Sequence, residues 1–105
     1  MLEKAKEQIK NAVATAGFGL AEIILFGSRA RGTAEKDSDW DFMVIIENKL
    51  ELREIMSLTD KIKRALIKSG MPNDVIIKYK GDFEYNKRTC GNVSYYAVQE
   101  GRQIL

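Results

Sequence analysis

The 105-residue sequence has no histidine. That absence removes Ser-His-Asp and Cys-His nucleophilic schemes, and every zinc site built on an imidazole. There is a single cysteine, Cys90, so neither an internal disulfide nor a thiolate metal site can form. The start, Met1 to Lys10, is charged and lacks the apolar stretch of a secretory leader. Together with the lone thiol, this sets the expectation of a reducing, cytoplasmic setting. No apolar run approaches the roughly 18 residues of a membrane span. A large excess of one charge is also missing. The formal net charge is +2, too little to argue for a nucleic-acid partner, whose binders concentrate their basic residues. There is one proline, Pro72, with no repeat, low-complexity stretch or linker, so a single domain over residues 1–105 is expected. Catalysis, if present, must run on carboxylates, hydroxyls, backbone amides, Lys or Arg. That donor set favours hard cations with oxygen ligands, Mg²⁺ above all.

What is present describes a small folded protein. Apolar residues make up 45% and charged residues 30%, a balance that argues against disorder. A chain this short buries a modest core, so an exposed sheet edge or apolar face is expected, open to a partner chain or a second copy. Leu2, Ala5, Ile9, Ala12, Val13 and Ala16 recur at helical spacing and predict a helix over 3–16, with Gly17 at its C-terminal cap. Ile23 to Phe26 predicts a buried strand over about 20–26. Residues 27–38 read as a polar loop with a short helical turn at Ser28. Trp40 to Glu47 reads as a second strand. Asn48 followed by Glu51 resembles a capping box for a helix over about 49–69 that buries Leu52, Ile55, Leu58, Ile62, Ala65 and Leu66. Asp74 to Lys80 is a third strand. Residues 81–91 are irregular or partly helical, 93–100 form a last helix, and 103–105 a tail. The order predicts an α/β or α+β fold with a small mixed sheet of three to four strands and helices packed on one face. The connection between the second and third strands is long enough to make them parallel neighbours.

The segment from Gly27 to Asp41 carries the chemistry. A turn at Gly27-Ser28 after a strand leaves free backbone N–H groups that favour an anion, and Gly27 lets a phosphate approach the backbone closely. The Ser28 hydroxyl adds a donor, and Arg29 and Arg31 lie alongside with guanidinium groups suited to phosphate oxygens. Asp39 and Asp41 are two apart at the head of a strand, so both carboxylates face one side. They repel unless a cation sits between them. Ser38 is placed as a cap or a loop tie. If the second and third strands are neighbours, Asp74 stands beside Asp41. A third carboxylate would complete a two-metal site and can accept the proton of an attacking hydroxyl.

Gly27-Ser28, ten residues, then Asp39-Trp40-Asp41 resembles the signature of the DNA polymerase β-like nucleotidyltransferase superfamily. The flanks Leu25 to Gly32 and Ser38 to Asp41 resemble its minimal members, short domains of which many are antitoxins of HEPN-domain toxins (the MntA type). The resemblance runs from about Ala12 to Gly101, with Glu100-Gly101 similar to the family's closing segment. It implies the nucleotidyltransferase fold. It also implies transfer of a nucleoside monophosphate, usually AMP from ATP, to a hydroxyl, which in the antitoxins is a tyrosine of the HEPN partner. Carried over, Gly27 and Ser28 hold the triphosphate, Asp39 and Asp41 bind the metals, and Asp74 binds the catalytic metal. Two other functions fit the sequence: an antitoxin that acts by occlusion without catalysis, and transfer to a nucleic-acid or small-molecule hydroxyl. A domain this small implies a shallow base pocket.

Rival readings fail or are bland. Gly27 to Gly32 is not a Walker loop, because no Lys-Ser/Thr follows the second glycine. Gly17 and Gly19 precede their strand, so they open no dinucleotide fingerprint. Cys90 and the tyrosines read as structural or surface residues, and Lys61 to Arg64 as the solvated face of a helix.

Overall fold

A computed structural model describes residues 1–105. The elements are α1 (Leu2–Thr15), β1 (Leu20–Phe26), α2 (Ser28–Arg31), β2 (Trp40–Ile46), α3 (Leu52–Lys68), β3 (Asn73–Tyr79), α4 (Lys80–Asn86), α5 (Val93–Glu100) and β4 (Arg102–Gln103). The strands form one mixed sheet in the order β3-β2-β1-β4. β1 is antiparallel to both β2 and β4, while β2 and β3 are parallel and joined by α3. The two apolar runs that read as strands sit at the centre, where both faces are covered.

Alternation along β2 divides the core. Phe42, Val44 and Ile46 point to one face, where Ala5, Ile9 and Val13 of α1 and Leu58, Ile62 and Leu66 of α3 cover them. Met43 and Ile45 point to the other face and meet Phe83 of α4 and Ala97 of α5. The two long helices thus share one face, as expected, and two short helices add a smaller layer on the second. No helix is long and apolar enough to cross a membrane.

Three details depart from the sequence reading. Residues 103–105 are not a free tail: Arg102 and Gln103 pair with β1, and the Ile104 amide donates to the Ile23 carbonyl. The start of α3 is not capped by Asn48. The Glu51 amide donates to the Glu54 carboxylate at 2.9 Å, and the Asn48 side chain instead accepts from the Gly19 amide at 2.8 Å. Leu52 is 72% exposed rather than buried, because it stands at the first position of α3, beyond the reach of α1 and the sheet. Helix α2 is a single turn beginning at Ser28, as expected.

Candidate active site

The candidate residues meet on the α4/α5 face, at one end of the sheet. Asp41 lies on the same face as Met43 and Ile45, since the three stand two positions apart along β2. Its register partners are Phe26 on β1 and Asp74 on β3. One row across the sheet therefore carries the end of β1, the carboxylate of Asp41 and the carboxylate of Asp74. The parallel pairing of β2 and β3 produces this neighbourhood, as the sequence predicts. Asp39 precedes β2 and is exposed.

Gly27 closes the row on the β1 side. Its φ is +72° and ψ −159°, a region open essentially to glycine alone. A Cβ placed there would overlap the Asp41 carboxylate. Backbone and carboxylate are thus packed directly against each other. Ser28 begins α2, and the first carbonyl to accept within the turn is that of Gly27, from the amides of Ala30 and Arg31. The amides of Ser28 and Arg29 stand in the first turn, where no intrahelical acceptor exists.

The two arginines have different surroundings. Arg29 donates to the carbonyls of Ser38 (2.9 Å) and Lys36 (3.2 Å), and its guanidinium lies 4.4 Å from the centre of the Trp40 ring. Trp40 packs with the α1/α3 core, so Arg29 is turned away from the carboxylates. These contacts tie Arg29 to the fold of the loop. Ser38 ties the same loop by accepting from the Glu35 amide at 2.8 Å, as its place in the sequence suggested. Arg31 pairs with Glu100 at 3.0 Å and also lies close enough to Asp41 to hold its carboxyl partly down.

Electrostatics single out Asp41. Burial pushes its carboxyl above the usual range, and the charges of Asp74 and Asp39 push it further. Only the Arg31 guanidinium opposes them. A carboxylate whose ionisation is opposed by two neighbouring carboxylates marks a place where a cation is stabilising. Every donor is a hard oxygen, which fits Mg²⁺. The side chains do not form a finished cage, for no three acidic groups converge tightly enough to hold an ion alone. A metal here would need further oxygens from a bound ligand, as Mg²⁺ commonly takes from phosphates. Nor does an enclosed cavity adjoin the row. The largest groove, about 330 Å³, lies between α1 and α3 and is lined by Ala16, Phe18 and Leu58 among others.

Sequence reasoning missed Lys63. Its ammonium lies 3.4 Å from Oδ1 of Asp74. A run of three basic residues among four gives no sign of which one reaches a strand eleven positions on.

A mixed sheet with a glycine-serine turn at one strand end and carboxylates on the next two strands defines a nucleotidyltransferase-like domain. The chain belongs to the polymerase β nucleotidyltransferase family, whose model matches residues 7–104. No curated protein matches the sequence. Among solved structures, a toxin–antitoxin complex with AMP-PNP contains a chain with a TM-score of 0.64 and 22% identity, over 95% of this chain and 72% of that one. A chain from the tri-AMPylated Shewanella oneidensis HEPN toxin in complex with MNT antitoxin gives 0.58 and 19%, over 100% and 72%. A protein described as a minimal nucleotidyltransferase gives 0.59 and 23%, over 96% and 90%. At these identities the likeness establishes a shared fold.

Proposed function

We propose that this domain is a metal-dependent nucleotidyltransferase that moves AMP from ATP to a hydroxyl of a partner protein, a tyrosine of an HEPN toxin, and so acts as an antitoxin. The observation that carries the reading is the row across the sheet: Gly27 packed on Asp41, and Asp41 in register with Asp74. The membership of the family and the toxin–antitoxin context of the similar structures support it.

In this reading the turn at Gly27-Ser28 receives the triphosphate, with backbone amides and the Ser28 hydroxyl as donors. Arg31 adds charge from the same side. Asp39, Asp41 and Asp74 would hold Mg²⁺, two ions in the complete site. Bound metal would neutralise charge on the phosphates and lower the energy of the leaving pyrophosphate. The acceptor oxygen attacks the α-phosphorus, the bond to the bridging oxygen breaks, and pyrophosphate leaves. Asp74 takes the acceptor's proton. A partner would complete the open base site.

Labelled ATP incubated with the partner should yield a labelled tyrosine, and Asp39→Asn should abolish it. Equal labelling by the mutant would sink the mechanism. A second reading, neutralisation by occlusion, rests on Leu52, Met56 and Ile67 of α3, which are 72%, 64% and 57% exposed. Full neutralisation of the toxin by Asp39→Asn would favour it.

A further inference from the structure

Asp74 is the one candidate carboxylate that forms a salt bridge with a cation of the protein. β3 is an edge strand, so alternate amides point away from β2 and need another acceptor. The amide of Val75 donates to Oδ1 of Asp74 at 3.1 Å. Lys63 donates to the same Oδ1 at 3.4 Å. Both contacts fall on one oxygen, and Oδ2 receives no hydrogen bond from the chain.

Lys63 is itself held at the head of β3. Its carbonyl accepts from Nδ2 of Asn73 at 3.3 Å, and the same nitrogen donates to the Met71 carbonyl at 3.0 Å. Two consecutive strand residues therefore grip the lysine at both ends, Asn73 at the main chain and Asp74 at the ammonium. Its neighbours in the basic cluster do something else. Arg64 pairs with Asp60 at 3.0 Å, and Lys61 lines grooves beside α1.

We propose that Lys63 is the positioning residue for Asp74: it pins Oδ1 at the outer edge of the sheet and leaves Oδ2 as the oxygen available to a cation or to the acceptor's proton. The inference rests on the nucleotidyl-transfer reading of the site. A carboxylate free to rotate would present either oxygen, and a ligand group held by a partner is worth more than one that is not.

The experiment compares Lys63→Met and Lys63→Arg with the wild type. Lys63→Met should slow transfer about tenfold, the low end of what removing such a partner costs, while the nucleotide KM stays unchanged. Lys63→Arg should restore most of the rate. An unaltered kcat in Lys63→Met, or no rescue by arginine, overturns the proposal. An independent readout uses the protein without nucleotide or metal. The Val75 amide resonance should move in Lys63→Met, as Oδ1 is released, and return in Lys63→Arg. A resonance that does not move also overturns it. Asp39→Asn separates the two layers. If that mutant transfers AMP normally, the proposed reaction falls, and the Val75 resonance still decides the positioning of Asp74.

Discussion

Replacing Gly27 with alanine should damage both stability and transfer, and the structure gives the size of each effect. The backbone cost comes first. At φ +72° and ψ −159° a residue with a Cβ is strained by about 1–3 kcal/mol. For a domain of this size, about 2 kcal/mol lowers Tm by roughly 8–16 °C. The second cost falls on Asp41, whose carboxylate occupies the space that the methyl needs. That carboxylate is the end of a rotatable side chain, so it can swing away with little further loss of stability. Swinging moves it by about an ångström or more from its place in the row, and a displacement of that order can cost about 10²-fold in rate. Thermal melting followed by single-turnover transfer measures the two separately. A Gly27→Ala protein with wild-type Tm and wild-type rate would refute the packing of Gly27 on Asp41. A lowered Tm with an intact rate would show that the Asp41 position is not critical.

Asp41→Asn should melt above the wild type at neutral pH. Burial, then Asp74 and Asp39, raise the carboxyl of the folded protein above its unfolded value. Folding therefore opposes ionisation, a penalty absent below the ordinary carboxylate range and fully felt once the pH has risen through the raised value. The Tm advantage of asparagine should accordingly shrink on acidification, and Mg²⁺ should stabilise the wild type more than the mutant. Equal melting at neutral and acidic pH would contradict this assignment. Arg29→Ala should lose about 1–2 kcal/mol, from hydrogen bonds to two loop carbonyls and the contact with Trp40, and should leave the nucleotide KM unchanged. Arg29→Lys should not rescue stability, since an ammonium cannot replace the planar fork. A raised KM with unchanged melting would return Arg29 to the phosphate.

The central strands were legible because Ile23 to Phe26 and Phe42 to Ile46 are apolar runs bounded by polar loops, and the parallel pairing of β2 with β3 followed from the length of the connection joining those two strands. The position of Asp74 opposite Asp41 was legible for the same reason. Arg29 was not, because only the folded loop brings the Ser38 carbonyl and the Trp40 ring to it. Nor was the capping of α3. Asn48/Glu51 and Glu51/Glu54 both have the right spacing, and the choice depends on Asn48 being taken by the Gly19 amide, 29 residues away in sequence. β4 is two residues long, too short for alternation to register, and is held by β1 rather than by its own propensity. What escaped the sequence were contacts between distant segments made by side chains with no periodic pattern.

The same geometry sets which parts of the proposed reaction this chain can supply. The Gly27-Ser28 turn belongs to the β1 side of Asp41, and Asp74 belongs to the opposite side, on the edge strand. A triphosphate held at the turn would place its α-phosphorus near Asp41, and an acceptor hydroxyl would have to come in from the direction of Asp74. That direction is the open edge of the sheet, where no further strand pairs with β3. The donor side is built from backbone and therefore fixed, whereas the acceptor side is a half-exposed carboxylate steadied by Lys63. On the proposed reading, the chain supplies the nucleotide half of the site in rigid form and leaves the choice of acceptor to whatever docks along β3.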